Sequence, residues 1–150
     1  MNLEEILIPT EVAHAGMSFG DALAECVKQN VPGIPFVDGK GKIVGRFSLR
    51  HAFRLTCVPR DYIQGAHLLG DDLDYMDMAE EKAEMILPQP VEGYVLEDAI
   101  QLNPGAQVIK ALAIMEQFNT GYLFLTDGEK YKGVITRVGI ARLVLNLGCC

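Results

Sequence analysis

Basic side chains are scarce in this 150-residue chain: 13 Lys and Arg face 20 Asp and Glu, for a formal net charge of −7. Binding a nucleic-acid polymer draws on clustered Lys and Arg that release counterions, so an acidic chain disfavours that class of function. Long apolar runs are missing as well, and nothing approaches the roughly 18–20 residues of a membrane span. The opening, MNLEEILIPTEV, carries three glutamates and no basic segment, unlike a secretory signal. The four cysteines (Cys26, Cys57, Cys149, Cys150) have no C-x-x-C spacing and no histidines in zinc-site register. They are expected to be reduced thiols of a cytoplasmic protein, with Cys149 and Cys150 on a free tail. There is no Trp, no P-loop, no G-x-G-x-x-G and no nucleophile–base signature, so neither a catalytic residue nor a metal site is assigned.

What is present is a repeat. At a fixed offset of 88 residues, Gln29, Gly33, Phe36, Lys42, Gly45, Arg54 and Leu55 recur as Gln117, Gly121, Phe124, Lys130, Gly133, Arg142 and Leu143. These are seven identities in 37 ungapped positions, and the patterns of expected structure coincide with them. In the first copy Phe19, Leu23, Cys26 and Val27 have amphipathic helical spacing behind Ser18 as N-cap. Ile34–Val37 reads as a buried strand, Asp38–Gly41 as a hairpin turn, and Ile43–Phe47 as the return strand. Ser48 then caps a helix over Leu49–Leu55. The second copy predicts helix Ala106–Phe118, strand Tyr122–Leu125, turn Thr126–Lys130, strand Tyr131–Ile135 and helix Arg137–Leu147 after Thr136. A short strand is expected ahead of each unit, at Glu11–His14 and Asp98–Leu102.

The expected division is therefore 1–58, 59–97 and 98–150, the middle segment being an acidic helical linker. Asp71–Glu84 holds seven carboxylates and one Lys, a net −6, so the two repeats are almost neutral. Asp72 and Asp74 do not open a calcium loop, because no glycine stands at the sixth position and Ala83 occupies the twelfth. A solvated helix is the expectation. The stripe Met76, Met78 and Met85 is expected to pack.

A doubled β-α-β-β-α unit in which Gly-x-hydrophobic-Thr/Ser closes a strand resembles the CBS domain pair, or Bateman module. The residues that carry this are NVPGIPFVDGKGKIVGRFSLRHAFRL and NTGYLFLTDGEKYKGVITRVGIARLVL. The resemblance implies an α+β fold of two pseudo-twofold-related units with their sheets packed together. It further implies two clefts for an adenosine-type ligand (AMP, ATP or S-adenosylmethionine), none of them an obligatory cofactor, and a homodimer that regulates a partner protein. Gly33, Ile34, Pro35, Gly121, Tyr122 and Leu123 offer an apolar slot and backbone groups for a base. Ser48 and Thr136 at helix starts, with Arg46, Arg50 and Arg137, suit phosphate. Arg54 and Arg142 belong to the same basic set, whose simpler reading is solvated arginines and salt bridges to the acidic linker. His14, in the first-strand region that lines the base pocket of the family, is expected either buried and hydrogen-bonded or at the ligand.

One departure matters. The family's nucleotide-binding signature ends in an Asp that holds the ribose hydroxyls, and here that position is His51 in one copy and Gly139 in the other. A histidine still offers a hydrogen bond or a cation, whereas glycine has no side chain to offer. The alternative expectation is thus a ligand-free interaction module whose clefts are filled by its own side chains.

Overall fold

The computed structural model describes residues 2–57, 64–68 and 80–148. The first repeat opens with β1 (Ala13–His14), α1 (Phe19–Gln29), β2 (Gly33–Val37), β3 (Ile43–Ser48) and α2 (Leu49–Thr56). After α3 (Glu80–Ile86) and β4 (Val95–Leu96), the second repeat runs β5 (Gln101–Leu102), α4 (Val108–Gln117), β6 (Tyr122–Asp127), β7 (Lys130–Thr136) and α5 (Arg137–Gly148). Most of Asp71–Glu84, with Met76 and Met78, lies outside the described residues, as do Cys149 and Cys150. Met85 is 71% exposed and does not pack as expected.

Local chemistry explains these elements. The Ser18 hydroxyl accepts from the Asp21 backbone N–H at 3.0 Å, and α1 ends on Asn30 in the left-handed region (φ 54°). Its buried face is Phe19, Ala22, Glu25 and Cys26. Val27, expected inward, is 72% exposed, because α1 turns a narrower stripe to the sheet than the spacing suggested. Burial pushes the Cys26 thiol up to about 12, with Glu25 adding to the effect, so this cysteine is an apolar filler. In the hairpin, Asp38 Oδ1 accepts from the N–H groups of Lys40 (2.9 Å) and Lys42 (3.0 Å). Removing the α1 cap by Ser18→Ala is expected to cost about 1 kcal/mol, measured by denaturant unfolding. An unchanged midpoint would show the cap to be dispensable.

Strands β1 and β2 run parallel, with α1 as the crossover, and β2 and β3 form an antiparallel hairpin. Strands β5, β6 and β7 repeat that arrangement. The edges are closed by exchange. β4, which leads into the second repeat, pairs with β3 of the first, Arg46 opposite Leu96 and Phe47 opposite Val95. Ile8, ahead of the first repeat, pairs with Val134 on β7 of the second, through N–H···O bonds of 3.0 and 2.9 Å. The offset of 88 maps Ile8 onto Leu96 and Arg46 onto Val134, so the repeat begins at Leu3 and Val91, earlier than its identities reveal.

The cores are shared in the same way. Leu3 and Ile6, in a 3-10 turn, are buried with Leu125, Ile135 and Leu143 of the second repeat. Val91 of the matching turn, together with Tyr122, Phe124 and Val134, is buried with Phe19, Ile34 and Phe47 of the first. Gly45 and Gly133 make these crossings possible. A Cβ on Gly45 would strike the Leu96 carbonyl, and one on Gly133 would come 2.7 Å from the Ile8 carbonyl.

Candidate functional site

Two clefts lie where the loop after the first helix of one repeat faces the second helix of the other. The first cleft, a cavity of about 290 Å³, is built on β3 and the start of α2. Arg46, Ser48, Arg50, His51 and Arg54 come from those elements, and Asn119, Thr120, Gly121 and Tyr122 come from the opposite repeat. Pro32 and Leu96 give it an apolar edge.

Arg46 organises this cleft. Its guanidinium donates to the Tyr122 hydroxyl at 3.1 Å and to Asp98 Oδ1 at 3.4 Å, and it stands 5.5 Å from the centre of the Tyr122 ring. Such stacking favours a cation over an aromatic face. Tyr122 is buried, and burial raises its phenol pKa against the opposing pull of Arg46. Ser48 sits at the N-cap position of α2 but makes no side-chain cap bond. Its hydroxyl lies beside the Tyr122 phenol instead, which departs from the capping role expected of it. His51 is held below the ordinary histidine range by burial, then by Arg54 and Arg46, with Asp98 opposing.

The second cleft, about 470 Å³, is the counterpart on α5. Thr136, Arg137, Val138, Gly139 and Arg142 line it from that helix, facing Asn30 and Pro32 and the crossing residues Ile6 and Ile8. Here the cap expected of Thr136 is made: its Oγ1 accepts from the Gly139 N–H at 3.0 Å. Arg137 donates to the Thr120 carbonyl at 3.2 Å. A Cβ on Gly139 would stand 3.2 Å from Ile6 and 3.3 Å from Thr136 Oγ1, so any side chain there would need Ile6 to give way.

Of the residues expected at a ligand, the structure gathers Arg46, Ser48, Arg50, His51, Gly121 and Tyr122 around the first cleft, and Gly121, Thr136 and Arg137 around the second. The others sit elsewhere. Ile34, Pro35 and Leu123 are fully buried, and Gly33 leaves room for Tyr122, whose hydroxyl would lie 2.5 Å from an added Cβ. His14 is neither buried nor in a cleft: it is exposed on β1, an edge strand, and its Nδ1 pairs with the Ala15 carbonyl at 2.9 Å. Pro32, Asn119 and Thr120 were missed because they contribute to loop walls, although each precedes a glycine already singled out. Among the described residues no group of three or more His, Cys, Asp and Glu could hold a metal ion. No helix among them is long and apolar enough to cross a membrane.

Residues 91–146 match the family model of the CBS domain. Solved structures resemble the chain over nearly its whole length. A CBS domain-containing protein of unknown function from Kribbella flavida superposes with a TM-score of 0.68 at 17% identity, covering 97% of this chain and 99% of its own. CBSX2 in complex with AMP gives 0.66 at 18% identity, covering 98% of each chain. The fold is that of a tandem CBS pair. The CBS domain pair of protein MJ0100, in complex with 5′-methylthioadenosine and S-adenosyl-L-methionine, gives 0.64 at 20% identity, covering 96% of this chain and 95% of its own. A search of curated proteins found no match. The tandem CBS pair seen here keeps the α+β architecture of two related units read from the sequence.

Proposed function

We propose that the protein is a non-catalytic regulatory module that binds an adenosine-type nucleotide between its two CBS units and thereby alters its association with a partner protein. The observation that carries this reading is the convergence of Arg46, Arg50, His51 and Arg54 on one cavity that also has an apolar edge. Guanidinium forks match phosphate oxygens, and Pro32 and Leu96 give a flat base something to lie against. The complexes of CBSX2 with AMP and of the MJ0100 pair with adenosine derivatives support the ligand class. Ligand binding would favour one relative placement of the units, by as much free energy as its affinities for the alternatives differ. The proposed assembly is a cytoplasmic homodimer that buries the exposed Phe53 and Leu55 of α2 and Val138, Val144 and Leu145 of α5.

Isothermal titration of the full chain with AMP, ATP and S-adenosylmethionine tests the proposal. Saturable heat with at least one of them is expected, and silence with all three at high protein concentration would sink it. A ligand-free interaction module is favoured by a single observation, the seating of Ile6 over Gly139 in the second cleft.

A further inference from the structure

We infer that the first cleft reads a phosphate chain and not a nucleoside: its ligand class is a linear oligophosphate of two or more phosphates, free or esterified, bound once per polypeptide. The inference rests on the preceding reading of the clefts as ligand sites, and narrows it.

Charge is the first argument. Three arginines and a histidine line the cavity. The one salt bridge among the described residues joins Arg46 to Asp98, whose side chain is 64% exposed. Arg50 and Arg54 have no carboxylate partner among those residues. The positive field of Arg54 and Arg46 is felt inside the cleft, where it adds to burial in disfavouring the charged form of His51.

Spacing is the second. Arg50 and Arg54 stand one helical turn apart on α2, a rise of about 6 Å. A chain of phosphates reaches both forks with each side chain extended, whereas a monophosphate engages both only where the two long side chains converge on it.

The third argument is what is missing. No carboxylate is among the residues that line the first cleft to accept from ribose hydroxyls, so little affinity comes from the sugar. A cationic, phosphate-free ligand such as S-adenosylmethionine meets like charge. In the second cleft Arg137 is already engaged with the Thr120 carbonyl, which leaves Arg142 as the one lining cation without a hydrogen-bond partner among the described residues. One site per chain follows.

The probes are inorganic tripolyphosphate, ATP, AMP and S-adenosylmethionine, titrated calorimetrically into the full chain at low salt. Tripolyphosphate and ATP are expected to bind within a few-fold of each other, one per chain, each roughly tenfold or more tighter than AMP. S-adenosylmethionine is expected to be silent. R50Q/R54Q should weaken both polyanions about a hundredfold, with helix content by circular dichroism retained because both side chains are exposed and Gln suits a helix. Lys110→Gln, which removes an exposed cation outside both clefts, should change neither. In NMR titrations assigned with His51→Gln, the bound polyanion should raise the His51 pKa by offsetting Arg54 and Arg46, in the direction Asp98 already favours. Binding of ATP with no binding of tripolyphosphate, AMP or S-adenosylmethionine matching ATP, or two polyanions per chain would each overturn the inference while leaving the nucleotide reading intact. Failure of all four ligands would remove both.

Discussion

Leu3→Ala is expected to destabilise the protein by about 2–5 kcal/mol. The reason is its position: Leu3 is 1% exposed and is buried in the core of the second repeat. A terminal segment held only by its own neighbours would fray at little cost. The measurement is urea unfolding combined with amide hydrogen exchange. Protection should fall in β7 and α5, which pack against the Leu3–Ile6 turn, and hold in α1, which is far closer in sequence. Loss of protection confined to residues 2–8 would show that the segment merely rests on the surface.

Gly45→Val and Gly133→Val are the second pair of large effects. At each position the neighbour is backbone, the Leu96 carbonyl for Gly45 and the Ile8 carbonyl for Gly133, and backbone in a sheet does not step aside as a flexible side chain does. Overpacking costs roughly 1–3 kcal/mol where side chains yield, and these sites should sit at or above the top of that range. Gly45→Val should release β4 from β3, and Gly133→Val should release Ile8 from β7. Thermal unfolding gives the magnitude, and exchange at the amides of the released segment gives the location. Two variants with wild-type melting temperatures would show that the crossings are loose.

These glycines also show how far the sequence is readable. Both were visible as repeated residues, and their pattern was enough to indicate the fold family. Their structural purpose was not visible, because the partner at Gly45 is a two-residue strand about fifty positions away. Pairings that short carry no periodicity. Helices α1, α2 and α5 and the two hairpins were legible because apolar spacing and turn residues are local signals. The strand run Gly33–Pro35, expected at a base, is buried against the second repeat for a physical reason. A glycine before an apolar run serves a close ligand or a close side chain equally well, and here it admits Tyr122. The arginines of the first cleft were readable, since a single strand–helix junction brings Arg46, Arg50 and Arg54 together. His14 was not, because exposure depends on what covers an edge strand.

The exchange of leading segments has a kinetic consequence. Ile8 bonds to Val134, a separation of 126 residues, and the first sheet gains its fourth strand only with Val95 and Leu96. During synthesis Leu3 and Ile6 therefore remain without their burial site until β7 and α5 have emerged. Contacts that close long loops carry the entropy of the whole intervening chain before they return any stabilisation, so they slow folding. The helix that shelters Leu3 and Ile6 is thus made long after them, and their apolar side chains stay exposed through the synthesis of everything between.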